Sequence, residues 1–501
     1  IRTALGSSRA TLIRQFLTEG LLLAFLGGVL GLLLAFWTTR ALVAAHLENF
    51  PRLDQVRVDG GVVLFALGLM LATGGIFGLL PALQSMGQKG LRDPLQDGGK
   101  TSAATTGGQR TRSALVVAEI AIALVVLVGA GLMIKSFRRL LEVDPGFRTQ
   151  NLLTARFTLR GLKYQGPRAV EFQRQLLEQI AALPGVESAA LASELPMGMG
   201  QHLAGDIIVE GRVLGPTEPP PVTSWRMVSP DYFRTMGIPL LAGRSFSTAD
   251  HARAPRVVIL DEDLARRLWP DGSPLGKRLK LNTPIPQQAE WRTVVGVAGH
   301  VRQHGLAQAG GDQLYLPTEQ YSARLLTLVV RPAADAGNLA SAVRDTIRAM
   351  DRDLPVEVQT IEEVIEASLT QRRFNTFLFL TFGGIALALT VIGIYGVMAY
   401  SVAQRTRDMG VRMALGAQQQ DVLRLIVGQG ARLALLGLLL GLAAAWGLSR
   451  LMASLLYGVE ATDAVTFIGV ALLLGTLALA ASYFPARRAA KVDPVVALRY
   501  E

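Results

Sequence analysis

Six runs of the chain are apolar over a length able to cross a bilayer, at residues 17–39, 61–82, 114–136, 375–400, 427–449 and 464–484. A spanning helix needs about 20 such residues, and Leu21–Trp37 holds no polar side chain. The pattern changes between the third and fourth runs. Leu152–Leu159 and Val186–Ala192 read as strands, and Arg168–Leu183 has helical periodicity ended by Pro184-Gly185. The same order returns at Leu326–Arg331, Leu339–Met350 and Val356–Gln359. Two strand–helix–strand units at opposite ends of one segment predict a split, ferredoxin-like α+β core. Residues 200–320, richer in Pro, Gly and short strands such as Val257–Leu260 and Thr293–Val301, predict a β-rich insert. The fold class is therefore an α-helical integral membrane protein with six transmembrane helices and a large α+β domain outside the membrane.

A stretch near the start returns near the end. Arg2–Leu42 and Arg412–Met452 align without a gap at an offset of 410, with 15 identities in 41 positions. Among them are Arg2/Arg412, Gly6/Gly416, Arg14/Arg424, Gly20/Gly430, Gly27/Gly437, Gly31/Gly441 and Arg40/Arg450. A second apolar run follows each copy and ends at Pro81-Ala82 or Pro485-Ala486. One membrane module is used twice. Gly27-x-x-x-Gly31 and Gly437-x-x-x-Gly441 read as helix-packing positions, because small residues four apart let helices approach closely. The chain opens at Ile1 with the repeat already under way, which reads as a fragment of a longer protein.

Composition agrees with the pattern: 50% of residues are hydrophobic and 18% charged, against roughly 25% charged in soluble domains. No cysteine is present, which excludes disulfides, thiolate metal sites and cysteine nucleophiles. The net charge of +11 is distributed rather than clustered as a nucleic-acid footprint. Segments holding Arg9 and Arg14, Lys89 and Arg92, Arg405 and Arg407, and Arg487 and Arg488 all fall on one side of the spans. The short loops on the other side, 43–60 and 453–463, hold only Arg52 and Arg57. That asymmetry places both termini in the cytoplasm and the large domain outside, and it leaves no role for nucleic acid.

Chemistry is sparse. A phosphate-binding P-loop needs Gly at both ends of its turn; Gly99-Lys100-Thr101 has the tail, but Pro94 takes the place of the first Gly. His300 and His304 follow a strand between glycines and read as no metal site, while Asp261, Glu262 and Asp263 read as a helix N-terminus. No catalytic constellation and no cofactor is expected. Glu119, about two turns into the third span, reads as an interfacial carboxylate reaching a neighbouring helix or the headgroups. The basic stretch Gln404–Leu425 lies between spans, with Gly410 and Gly416 as breaks, and reads as a docking surface for a cytoplasmic partner.

That stretch, Gln404-Arg405-Thr406-Arg407-Asp408-Met409-Gly410-Val411-Arg412-Met413-Ala414-Leu415-Gly416-Ala417, resembles the cytoplasmic segment E-R-x-R-E-I-G-I-x-x-A-L-G-A of the MacB/FtsX-type ABC transporter permeases. Gln404 and Asp408 depart from its Glu positions. Val228–Phe233, Gly237–Arg244, Pro274–Arg278 and Val294–Val297 are similar to pieces of the same family's periplasmic domain. Two permease units in one chain resemble the duplicated, orphan permease branch. The resemblance implies a first unit over 1–97, a cytoplasmic linker over 98–113, a spanning helix over 114–136, a periplasmic core over 140–370 and a second permease unit over 375–501. It further implies an inner-membrane location and a separate cytoplasmic ABC ATPase that meets Arg405, Arg407, Asp408, Gly410, Arg412 and Gly416, with Arg2 and Gly6 in the first copy. Membrane lipid and a periplasmic adaptor or hydrolase complete the implied partners. The implied activity is ATP-driven work on the periplasmic side, efflux or extrusion. An FtsX-like regulator or scaffold acting on a cell-wall hydrolase is the alternative, and an ion-coupled transporter lacks the midplane charges it needs.

Overall fold

The computed structural model describes residues 9–44, 58–86 and 103–490, except 160–163, 165, 198, 201–202, 213–214, 216–217, 283–288, 304, 309, 322–324, 335–338 and 416–417. Two compact units divide the chain, one of residues 1–137 with 370–501 and one of residues 138–369.

The first unit is helical. Its elements are α1 (Arg9–Ala44), α2 (Gly60–Met86) and α3 (Ala103–Leu141). Later in the chain come α8 (Ile361–Ala414), α9 (Gln419–Ser449) with a 3-10 turn (Arg450–Leu455), and α10 (Ala464–Ala490). Each apolar run expected to span lies inside one of these helices. Among the described residues five are long and apolar enough to cross a membrane, and the described apolar stretch of α2, Gly60–Ile76, is shorter. Leu23, Leu64 and Phe65 are exposed, the surface expected of side chains that face lipid.

Three boundaries differ from expectation. α3 begins at Ala103, inside the expected linker, because adding a turn to an existing helix costs far less than nucleating one. α8 runs through Gly410 without a break. One helical glycine costs only about 1 kcal/mol against Ala, and the helical formers around it outweigh that cost. The helix outlasts the apolar run as well: α10 continues past Pro485 to Ala490. Neighbouring helices can absorb the freed carbonyl inside a membrane protein.

The second unit is α+β. It begins with β1 (Leu153–Thr158), α4 (Pro167–Ala181) and β2 (Val186–Ala192). A small hairpin of β3 (Glu194–Leu195) and β4 (Met199–Gly200) leads into β5 (Leu203–Val209), β6 (Val222–Val228) and α5 (Tyr232–Met236). Then come β7 (Leu240–Gly243), β8 (Val257–Asp261), α6 (Glu262–Leu268), β9 (Arg278–Leu281), β10 (Arg292–Ala298) and β11 (Gln313–Pro317). The unit closes with β12 (Leu325–Pro332), α7 (Leu339–Met350) and β13 (Glu357–Thr360).

β2, β12, β1 and β13 lie side by side in that order, every pairing antiparallel. Phe157 of β1 and Leu328 and Val330 of β12 share one core with Phe172, Leu176 and Ile180 of α4 and Val343 and Ile347 of α7. The alternate positions, Ala190 and Ala192 of β2 and Val329 of β12, enter a second core with Tyr232 and Phe233 of α5. The side-chain period of two therefore feeds two cores at once. The middle segment forms its own structure: β5, β6, β11, β8, β10 and β9 pair in a closed ring, with β6–β11 and β8–β10 parallel. Closure leaves these strands no free edge.

Under the β3–β4 hairpin an ion pair is sealed in. Arg226 of β6 meets Glu194 at 3.0 Å, with side chains 0% and 3% exposed. Gln313 Oε1 accepts from Arg226 Nη1, Gln303 Nε2 and the Tyr315 hydroxyl, and Gln313 Nε2 donates to the Val301 carbonyl at 2.7 Å. Arg226→Ala would leave the Glu194 charge buried against an apolar gap, so the unit should lose about 3–5 kcal/mol. A thermal melt of the detergent-purified chain checks this; a melt unchanged from wild type contradicts the pair's structural role.

Candidate functional site: the helical tip and its seams

α8 ends at Ala414 and α9 begins at Gln419, and the resembling segment runs to this junction. Met409 and Met413 of α8 share an apolar cluster with Val422 and Ile426 of α9, Val116 of α3 and Ala486 of α10. The start of α9 is fixed by reciprocal capping between Gln418 and Asp421, with the Gln418 amide donating to Asp421 Oδ2 at 3.0 Å. The outer surface of this tip is open: Val411 is 41% and Leu415 83% exposed, and Gln418, Gln419, Gln420 and Asp421 are exposed beside them. An exposed Leu at a polar helical turn offers an apolar anchor to whatever docks there. Leu415 gives no functional signal along the chain, since an apolar residue next to Gly looks like interior packing.

The backbones of Arg405, Arg407, Asp408, Gly410 and Arg412 lie in α8; their side chains fall outside the described residues. Arg2, Gly6 and Gly416 also lie outside the described residues, as does His304. Around the same end of the helices, the Arg112 guanidinium sits 4.0 Å over the Tyr400 ring. Tyr400 accepts from Gln404, and Arg488 reaches the Tyr395 hydroxyl at 3.3 Å. Arg stacked on Tyr is the amphipathic arrangement that suits a membrane interface.

At the opposite end, Lys135 of α3 pairs with Asp463 at 2.6 Å. Asp463 also accepts from the Thr466 hydroxyl at 2.7 Å and so begins α10. Those hydrogen bonds, led by the one from Lys135, hold its carboxyl down to about 2. Ser136 accepts from the Tyr457 amide, and Arg372 of α8 donates to the Leu455 carbonyl. The loop before α10 is thus fastened to both α3 and α8.

Between these ends the seams are lined by glycine. A β-carbon on Gly437 of α9 would lie 2.7 Å from Ile120 of α3, and one on Gly441 would lie 3.0 Å from the Ala121 backbone. Gly393 of α8 makes room for Glu119, whose carboxylate would clash with such a carbon. Glu119 thus faces a helix neighbour. Gly27 and Gly31 of α1 differ from their repeat partners, since a β-carbon on either meets no atom within 4 Å.

In the second unit His300 lies beside two carboxylates. Its Nδ1 lies 2.6 Å from Asp261 Oδ2 and 3.2 Å from Asp263 Oδ2. Asp261 Oδ1 already accepts from the Leu264 amide at the N-terminus of α6 and from the Gln313 amide. The cluster is a helix cap holding an imidazole through its Nδ1. Beside it Asp144, Phe147, Arg148, Pro239, Glu262 and His300 bound an open cleft of about 580 Å³.

The family description of a MacB-like periplasmic core domain matches residues 113–346. That of an FtsX-like permease C-terminal matches residues 1–89 and 380–494, both copies of the repeat. A macrolide export ATP-binding/permease protein MacB from Agrobacterium fabrum is 32% identical over 285 residues, 54% of this chain and 42% of that protein. Its counterpart from Marinobacter nauticus is 28% identical over 274 residues, 52% of this chain and 41% of that protein. The chain therefore spans less than half the length of these relatives. The crystal structure of the periplasmic region of MacB from Actinobacillus actinomycetemcomitans is 16% identical, with a TM-score of 0.32, and the match covers 45% of this chain and 95% of that one.

The hydrogen bond to Asp261, more than the neighbouring charges of Asp263 and Glu262, raises His300 above its ordinary value near 6.5, against the opposing effect of burial. A raised imidazolium stabilises the fold fully below about pH 6.5, and that contribution is lost as pH rises through the raised value. The melting temperature of His300→Asn should therefore fall furthest below wild type at pH 6, by a few degrees, and approach it at pH 9. A gap independent of pH contradicts the pairing.

Proposed function

The chain belongs to the MacB/FtsX-type permeases, and from that premise we propose that it couples ATP hydrolysis by a separate cytoplasmic ATPase to conformational work on the periplasmic side. It is a multi-pass membrane protein by its apolar helices and its family. In our reading six helices cross the inner membrane, the positive-inside asymmetry puts the α8–α9 tip in the cytoplasm, and residues 140–370 form the periplasmic core. The β1-α4-β2 and β12-α7-β13 pair, with strand order β2-β12-β1-β13, is the ferredoxin-like half of that core. The permease units then run over 1–97 and 375–501, with two spans in the first, as in the duplicated orphan branch.

The observation that carries the proposal is the tip itself. Met409 and Met413 of α8 pack into an apolar seam with α9, while Val411 and Leu415 are exposed. A rigid element with an open anchor suits contact with a moving partner, because a push at its end is delivered to the helices packed beneath rather than absorbed by a loop. Arg405, Arg407, Asp408 and Arg412 supply charge for that contact, and the same covalent helices, α3 and α8, lead from the membrane unit to the periplasmic one. Export then follows from alternating states of the outer domain. In this reading the energy comes from the separate ATPase.

Arg405→Glu with Arg407→Glu should abolish copurification of the ATPase while membrane insertion stays intact. Reversing charge pairs in an interface costs about 2 kcal/mol or more, and Leu415→Ser should weaken the same complex. Undiminished copurification of the double variant contradicts the assignment. Stimulation of the copurified ATPase by an exported solute supports transport, and capture of a cell-wall hydrolase without such stimulation contradicts it.

A further inference from the structure

The two helix pairs related by the repeat pack alike. Gly20 of α1 lies against Gly74 and Gly78 of α2, and its counterpart Gly430 of α9 lies against Ser482 of α10. Gly78 and Ser482 stand in the same relation as Pro81 and Pro485, 404 residues apart, so both pairs cross at the same point. Gly28 packs on Met70, and the equivalent Leu438 and Leu474 meet in one apolar cluster.

What lies on the two pairs differs. On α9 and α10 the groove is filled by α3. Its Ile120 and the Val117 carbonyl sit against Gly437, Ala121 and Leu124 against Gly441, and Gly131 against Thr466 of α10, where a β-carbon would lie at 2.7 Å. Gly437, Gly441, Ala434 and Ala445 are buried by this contact. On α1 and α2 the equivalent residues Ala24, Gly27, Gly31, Ala35, Val62 and Ala66 line an open groove of about 480 Å³, and Gly27 and Gly31 are exposed.

We propose that the α1–α2 groove is the docking site of one further membrane-spanning helix, carrying the face that α3 presents to α9. That face sets small or aliphatic residues at the spacing of Val117, Ile120, Ala121 and Leu124, so its backbone can come within contact of two glycines. Lipid tails are as apolar as the groove and give no hydrophobic drive. What a glycine pair adds is close approach of a second backbone, with the dispersion contacts that a mobile acyl chain holds poorly. The occupant is a separate helix rather than α3 of a second copy, because each copy's α3 has this face already buried against its own α9. The inference rests on the repeat and the packing, not on coupling to an ATPase, and so stands or falls apart from the proposed function.

The chain has no cysteine, so introduced pairs report cleanly. The probe is a separately encoded membrane helix with the sequence of residues 103–141 and Ala121→Cys, coexpressed with the full chain carrying Gly31→Cys. By the repeat, Gly31 should meet position 121 as Gly441 does. Oxidation should give a disulfide adduct about tenfold stronger than with Leu34→Cys, whose side chain is 52% exposed. Gly27→Ala added to Gly31→Cys should reduce the adduct, and Gly27→Leu should remove it, with membrane insertion checked for each chain. Equal adducts at 31 and 34, indifference to Gly27→Ala, no adduct at 31, or a Gly31→Cys homodimer in place of the adduct would each overturn the proposal.

Discussion

In hydrocarbon every backbone N–H and C=O must find its partner inside its own segment, and that requirement governs the membrane unit. It forces helices, and it makes their continuation past the bilayer inexpensive once they exist. α8 shows the consequence most fully. Its 54 residues, about 80 Å at 1.5 Å each, run from the end of β13 through the apolar span and on through Gly410 to the tip. The segment that resembles the family's cytoplasmic motif thus begins within a helix, up to Ala414, rather than in a loop.

Because lipid supplies no hydrophobic drive between helices, the helices cohere through close packing and a few polar fastenings. Gly437 and Gly441 bring α3 against α9, and Gly393 admits the Glu119 carboxylate. Lys135–Asp463 and Arg372–Leu455 fix the far end. The methionine seam fixes the near end, with flexible thioethers that fill irregular gaps without polar cost. The bundle is fastened at both ends and glycine-tight between them.

Much of this was legible along the chain. Periodicity located β2 at Val186–Ala192 and α7 at Leu339–Met350 without error, and β1, α4, β8 and β12 to within about two residues, because alternation and 3.6-residue spacing are local properties. What stayed hidden depends on pairing across distance. Arg226 and Glu194 are 32 residues apart and meet only when β6 lies beside β2; a lone Arg in the strand VTSWRMV looks like a surface residue. The closed ring of strands around the insert rests on the β6–β11 pairing, which no local pattern encodes. Gly410 reads as a break by glycine's propensity alone, which the helix already running into it overrides. The glycine pair of the repeat looked equivalent in both copies, and only packing separated the filled groove from the open one.

The central claim is that the coupling segment is one uninterrupted helix seated on the bundle. Amide hydrogen exchange across residues 404–414 of the chain in lipid nanodiscs tests it most directly. The account predicts slow exchange continuing from the apolar span through Gly410 to Ala414, with fast exchange starting only at the turn before α9. Fast exchange on both sides of Gly410 would show two independent segments and contradict it.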